Sequence, residues 1–140
     1  MIAINIVVAS ILIIITILMH SFLTRFIMLL IKHRNNPDHK HFKRPNEYWL
    51  SVIVLMIFAI SIVESVVWGL AYLITGTLTS IEESLYFSIG TYTKLGFGDI
   101  TISGPWRLLA ASEAAIGIII FGWSTAIVMA VVQKLYFKKS

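Results

Sequence analysis

The chain has 140 residues, of which 58% are hydrophobic and 13% are charged, and a soluble domain of this length cannot bury that much apolar surface. The composition therefore excludes an ordinary water-soluble fold and predicts a membrane protein. No cysteine is present, which excludes disulfides, thiolate metal sites and cysteine nucleophiles; the net charge of +4 comes mainly from one loop and the C-terminus, which is typical of cytoplasmic flanks of membrane helices rather than of nucleic-acid-binding proteins.

The first apolar run, residues 1–31, predicts a membrane-spanning helix. No Asp, Glu, Lys or Arg precedes Arg25, and about 20 helical residues suffice to cross the hydrocarbon core of a bilayer. A cleaved signal peptide would have a basic start and a shorter apolar core, so a retained helix is expected. His20 is predicted to be buried and hydrogen-bonded, and a part in a proton relay is the alternative.

A basic loop follows at residues 32–47. Its first part, residues 32–44, contains five Lys or Arg residues and three histidines. This excess of positive charge predicts a cytoplasmic loop, and anionic lipid headgroups are its expected partner. A metal site at the histidines is the alternative, although their spacing matches none of the usual patterns.

The remaining unit, residues 48–136, begins with a second apolar run at residues 49–74 that is long enough to span the membrane. Glu64 interrupts this run. An acid at membrane depth is costly and suggests a function, but a buried acid that is hydrogen-bonded to serine or to the backbone is an equal alternative.

Residues 75–107 mix glycine, threonine and acidic residues with an apolar piece that is too short to cross a bilayer, so this segment is expected to be re-entrant. Ser80 and Glu83 have the spacing of a capping box, which predicts a short helix over residues 80–91. The last apolar run, residues 106–134, predicts the final spanning helix. Lysines at and beyond its end place the C-terminus in the cytoplasm. The N-terminus and the re-entrant segment are then on the outer side of the cell membrane.

Residues 84–99, SLYFSIGTYTKLGFGD, resemble the pore helix and selectivity filter of potassium channels, and GFGD at residues 96–99 matches the G-[YF]-G-D of that family. The resemblance extends from Trp49 to Val132. It implies an all-α membrane protein with three transmembrane helices, a re-entrant pore helix and a selectivity-filter loop. The chain has no internal repeat, so a symmetric pore requires several copies, and the resemblance implies a homotetramer. It further implies a channel for monovalent cations, potassium (K+) first, that needs no cofactor and is not an enzyme.

A potassium filter replaces the water around the ion with rings of backbone carbonyls, to which four chains contribute. Successive carbonyls point inward only where the backbone alternates in hand, and glycine tolerates the left-handed conformations that this requires. The carbonyls of residues 94–97 are expected to face the ion, with the last residue of the motif at the outer mouth. The predicted filter residues are Thr93, Lys94, Leu95, Gly96, Phe97, Gly98 and Asp99.

The resemblance also implies residues that support the filter. Arg107 and Glu113 lie at the outer start of the last helix, and they are expected, together with Glu64, to hold the filter in place. Gly117 lies where the family has a hinge in the inner helix.

Lys94 departs from the family, whose filter has a threonine at this position. Four ammonium groups would oppose a cation strongly, since one unit charge about 5 Å away contributes on the order of 3 kcal/mol at an effective dielectric constant of about 20. The amines could be partly neutral, tilt among the pore-helix ends, or bind anions. An anion- or proton-linked pore and a non-conducting channel-like interaction protein are therefore the alternatives to cation conduction.

Overall fold

The computed structural model describes residues 1–34 and 47–134. This part of the chain forms four helices: α1 (Ile2–Arg34), α2 (Glu47–Ile74), α3 (Ile81–Tyr92) and α4 (Arg107–Val132). Helices α1, α2 and α4 are each long and apolar enough to cross a membrane, whereas the 12 residues of α3 reach only about 18 Å. The predicted all-helical membrane fold, with three spanning helices and one short helix before the last of them, is confirmed.

The predicted basic loop at residues 32–47 lies largely outside the described residues. Its expected contact with anionic lipid, and the alternative metal site at its histidines, fall in the same region. Both stay predictions. On the near side of the loop, α1 continues to Arg34, three residues beyond the predicted end of the first helix at residue 31.

The helices pack around two apolar clusters. Helix α1 lies against α2 and α4, and α3 contacts both α2 and α4. The first cluster draws buried residues from all four helices and the second joins α1, α2 and α4. The first consists of Ala9, Leu12, Trp68, Ala71, Tyr72, Tyr92, Leu109, Ile116 and Ile120, and the second of Leu23, Ile27, Ile31, Ile53, Ile57, Ile127 and Val131.

Many of the polar side chains on the spanning helices face inward. Hydrocarbon offers no hydrogen-bond partner, so a polar group at membrane depth is stable only against another helix or its own backbone. Large apolar side chains such as Phe22 and Leu55 are exposed instead, and lipid is their solvent. Among the described residues of the spanning helices, the buried polar ones are Asn5, Thr16, His20, Ser61, Glu64, Ser65, Glu113 and Ser124, and Ser84 and Ser88 are buried on α3.

Helix α3 begins directly after Ser80, but the Ser80 side chain makes no cap hydrogen bond. That part of the capping-box prediction is wrong. The Ser80 carbonyl accepts a hydrogen bond from the Ser84 amide at 3.0 Å, and Glu82 and Glu83 lie in the first turn, where the helix dipole favours carboxylates. Backbone bonding and charge therefore stabilise this helix start in place of a side-chain cap.

Candidate functional site

The segment that follows α3 folds back onto the last turn of that helix. The Thr93 hydroxyl donates to the Ile89 carbonyl at 2.6 Å, and the Thr93 amide donates to the same carbonyl at 3.0 Å. The Gly96 amide then donates to the Gly90 carbonyl at 3.1 Å. The first half of the predicted filter, residues 93–99, is thus attached to the C-terminal end of α3.

The backbone of this segment adopts left-handed conformations at alternate residues. The φ angles are 65° at Lys94, 53° at Gly96 and 80° at Gly98. A Cβ at Gly96 would meet nothing within 4 Å, so glycine is favoured there by its conformation and not by lack of space. Lys94 adopts the same conformation without that freedom, at a cost of about 1–2 kcal/mol.

Residues 94–99 are exposed on the single chain, and aromatic and polar contacts hold their outer part to α3. The Phe97 ring stacks on the Tyr86 ring with 5.8 Å between centroids and 14° between planes. A hydrogen bond to the Asp99 carboxylate raises the pKa of the Tyr86 phenol above its ordinary value. The two ends of the segment are therefore fixed to α3 through different residues.

Glu64 lies at a point where all four helices meet. Its Oε2 accepts a hydrogen bond from the Tyr92 hydroxyl at 2.7 Å, and its Oε1 lies 3.2 Å from His20 Nδ1. His20 Nε2 lies 3.3 Å from the Ser124 hydroxyl. Glu64, His20 and Tyr92 are fully buried, so the acid is hydrogen-bonded by side chains of two other helices, and the prediction of a buried, hydrogen-bonded His20 is confirmed.

Glu113 forms a second buried contact with α3. It accepts hydrogen bonds from the Tyr72 hydroxyl at 2.5 Å and from the Ser88 hydroxyl at 2.5 Å. The Ser88 oxygen also lies 2.6 Å from the Ser65 carbonyl oxygen. This carboxylate therefore joins α4 to the middle of α3 and to α2.

Arg107, the remaining predicted supporting residue, and Gly117, the predicted hinge, differ in their surroundings. Arg107 is exposed at the first position of α4, and it makes no hydrogen bond or ion pair within residues 1–34 and 47–134; its supporting role stays a prediction. Gly117 is buried in α4, and a Cβ there would overlap the Tyr92 carbonyl oxygen. Close approach of α4 to the end of α3 requires glycine at this position, while the predicted hinge stays untested.

Sequence reasoning missed the hydroxyl groups that bind the two carboxylates. Tyr92 and Ser88 carry no sequence signal beyond their place in α3, and Tyr72 resembles an interfacial aromatic residue at the end of a spanning helix. The usable signal was the pair of acids themselves, because a carboxylate at membrane depth requires donors nearby.

The chain matches the model of a known protein family. A family model described as "Ion channel" matches residues 50–134, which is more than half of the chain and contains most of α2 with α3, the filter segment and α4. No curated protein matches the chain, and no solved structure matches it. The matched region includes both buried carboxylates but not His20.

Proposed function

The chain belongs to this ion-channel family, and we propose that four copies of it form a pore-loop channel that conducts monovalent cations, potassium first. The observation that carries the proposal is the alternation of left-handed backbone at Lys94, Gly96 and Gly98 directly after a short helix. Rings of inward-facing carbonyls need such an alternation. Residues 93–99 are the selectivity filter in this proposal, and no cofactor takes part.

The homotetramer is supported by what one chain leaves uncovered. Leu95 is 60% exposed and Phe97 is 63% exposed on the isolated chain, although both lie in the proposed filter. One chain supplies one filter segment and has no repeat, so a closed ring needs further copies. In the tetramer α4 lines the pore.

The proposed orientation puts the N-terminus and α3 outside and the C-terminus in the cytoplasm of a cell whose membrane the chain crosses three times. Three spanning helices put the two ends on opposite sides. The support for the direction is the concentration of Lys and Arg at residues 32–44 and at the C-terminus. With this orientation Asp99 lies at the outer mouth.

Lys94 is the residue that modifies permeation in this proposal. It is exposed on the single chain and adopts a left-handed conformation. Four such amines near the ion path oppose cations, by about 3 kcal/mol for each charge at about 5 Å. The same feature favours the second candidate, a channel-like protein whose pore Lys94 closes or makes selective for anions.

The test is ion flux into liposomes that contain the purified protein, under potassium, sodium and chloride gradients in turn. Lys94→Thr is compared with wild type, and Lys32→Thr is the matched control because it removes the same charge from the exposed end of α1. The proposal is supported if wild type conducts potassium and the potassium flux rises at least about tenfold in Lys94→Thr but not in Lys32→Thr. A loss of about 1.4 kcal/mol of repulsion would give a rise of this size. Chloride flux in wild type, or no flux in either protein, rejects cation conduction.

A further inference from the structure

Helix α1 lies outside the matched family region, yet it contributes a buried side chain to the network that ends at the filter. We propose that His20 is a positioning residue for the filter: through Glu64 it fixes Tyr92, the last residue of α3. The flux part of this inference rests on the proposed function, whereas the structural part does not.

The carboxylate of Glu64 acts as a bridge because each of its oxygens has a different partner. Oε1 lies 3.2 Å from His20 Nδ1, and Oε2 accepts the Tyr92 hydroxyl at 2.7 Å. None of the three side chains is exposed. Because all three side chains are fully buried, a shift of the imidazole either moves the carboxylate or leaves it short of a donor.

The imidazole is itself held on three sides. A neutral ring satisfies both of its nitrogens when Nδ1–H donates to Glu64 and Nε2 accepts from the Ser124 hydroxyl, 3.3 Å away. The ring also packs edge-on against Trp123, with 5.3 Å between centroids and 66° between planes. His20 therefore sets the position of the carboxylate and does not merely follow it.

Two further contacts dock α1 onto the pore domain at other levels. The Trp68 indole donates to the Thr16 hydroxyl at 3.1 Å, and the Asn5 amide donates to the Pro105 carbonyl at 2.7 Å. Neither of these two hydrogen bonds involves a residue of α3. They offer a comparison in which α1 loses a polar contact but the path to Tyr92 stays intact.

Tyr92 transmits its position to the filter because it is held at both ends and directly precedes the filter. Its hydroxyl binds Glu64, and its backbone carbonyl packs against Gly117 of α4. Lys94, the first left-handed residue of the filter, follows two residues later. A displacement of Tyr92 thus changes the start of the left-handed alternation.

Hydrogen–deuterium exchange of the amides of residues 93–98, in the full-length protein in lipid nanodiscs, tests the inference. His20→Gln keeps an amide near the Nε2 position and loses the contact with Glu64, while His20→Asn keeps an amide near the Nδ1 position. We expect exchange in His20→Gln and in Tyr92→Phe to rise about fivefold, the factor given by one buried hydrogen bond of ordinary strength. His20→Asn should stay near wild type, as should Thr16→Val, the control for packing of α1.

The double variant of His20→Gln with Tyr92→Phe decides whether the two residues act along one path. Exchange no faster than in Tyr92→Phe alone is expected, because the path is already cut. Multiplied effects in the double variant, unchanged exchange in His20→Gln, or an equal rise in Thr16→Val would each overturn the inference. The ratio of potassium to sodium flux should fall in His20→Gln and Tyr92→Phe but not in the controls. If the wild-type protein shows no flux, the proposed function is rejected. The exchange measurement then decides the role of His20 by itself.

Discussion

Glu64 and Glu113 are both buried carboxylates that bind α3, but they draw their partners from different parts of the chain. Glu113 of α4 accepts hydrogen bonds from Ser88 in the middle of α3 and from Tyr72 of α2. All of these residues lie within the matched ion-channel region, residues 50–134. Glu64 instead binds Tyr92 at the end of α3 and the imidazole of His20 in α1.

The difference separates two kinds of support. The Glu113 contact holds the pore helix between the two helices that flank it in the sequence, and it needs nothing from α1. The Glu64 contact holds Tyr92, which directly precedes the proposed filter, and α1 completes this contact. In the proposed channel, α1 would therefore support the pore without lining it.

The largest expected effect comes from Gly117→Ala, which disturbs both contacts together. The added methyl group overlaps the Tyr92 carbonyl oxygen, so α4 must move away from α3, at a cost of about 3 kcal/mol. Gly122→Ala is the matched control in the same helix, because a Cβ there meets nothing within 4 Å. The temperature of thermal unfolding and the yield of assembled protein should fall for Gly117→Ala alone. Equal values for both variants would show that the close approach of α4 to α3 is unimportant.

Removing the Glu113 side chain should break the contact within the family region. Glu113→Ala leaves the Tyr72 hydroxyl without its acceptor and creates a cavity beside Ser88, whose hydroxyl keeps the Ser65 carbonyl as acceptor. The two effects together should cost about 2–3 kcal/mol in the free energy of unfolding. Glu113→Gln should cost far less, because its oxygen accepts from Tyr72 while its amide donates to Ser88, whose hydroxyl then bonds the Ser65 carbonyl. Denaturation in detergent measures both. A glutamine variant as unstable as the alanine variant would contradict this hydrogen-bond arrangement.

A pair of tyrosine variants sharpens the comparison between the two carboxylates. Tyr72→Phe and Tyr92→Phe each remove one hydroxyl that donates to a buried carboxylate, so each should cost about 1–2 kcal/mol in stability. Only Tyr92→Phe should change the ratio of potassium to sodium flux, because only Tyr92 adjoins the filter. A change of the same size in Tyr72→Phe would mean that the two supports are not distinct.

The smallest effect concerns the outer end of the filter and depends on pH. The Asp99 carboxylate raises the pKa of the Tyr86 phenol, so their hydrogen bond stabilises the folded state fully below the ordinary tyrosine pKa of about 10, and this stabilisation is lost as the pH rises through the raised value. The difference in ultraviolet absorbance between wild type and Tyr86→Phe, followed as the pH is raised, reports ionisation of the Tyr86 phenol. Its midpoint should lie above about 10. Asp99→Ala should lower that midpoint, and an unchanged midpoint would exclude the contact.

Much of the fold could be predicted because its signals are local. Apolar runs define spanning helices from the thickness of the membrane alone, and the short helix begins directly after Ser80, where the sequence places it. Alternate glycines at 96 and 98 predict alternate left-handed residues, which the structure has. The same conformation at Lys94 could not be predicted, since lysine has no preference for it.

The partners of the buried acids could not be predicted, for a geometric reason. Hydropathy indicates that a helix spans, but its rotation and tilt are set by packing against its neighbours. The pairing of His20 with Glu64 and Tyr92 depends on the rotation of α1, α2 and α3 together. The family resemblance predicts a hinge at Gly117, whereas the observed contact of Gly117 with Tyr92 depends on how closely α4 crosses α3.

The measurement that tests the central claim most directly is the reversal potential of the purified wild-type protein in a planar bilayer, first in a potassium chloride gradient and then with potassium and sodium on opposite sides. If residues 93–99 of four chains form a cation filter, the reversal potential will have the sign of cation permeation in the gradient and of potassium preference in the mixed solutions. A reversal potential of the opposite sign in the gradient, which only anion permeation produces, would contradict the claim.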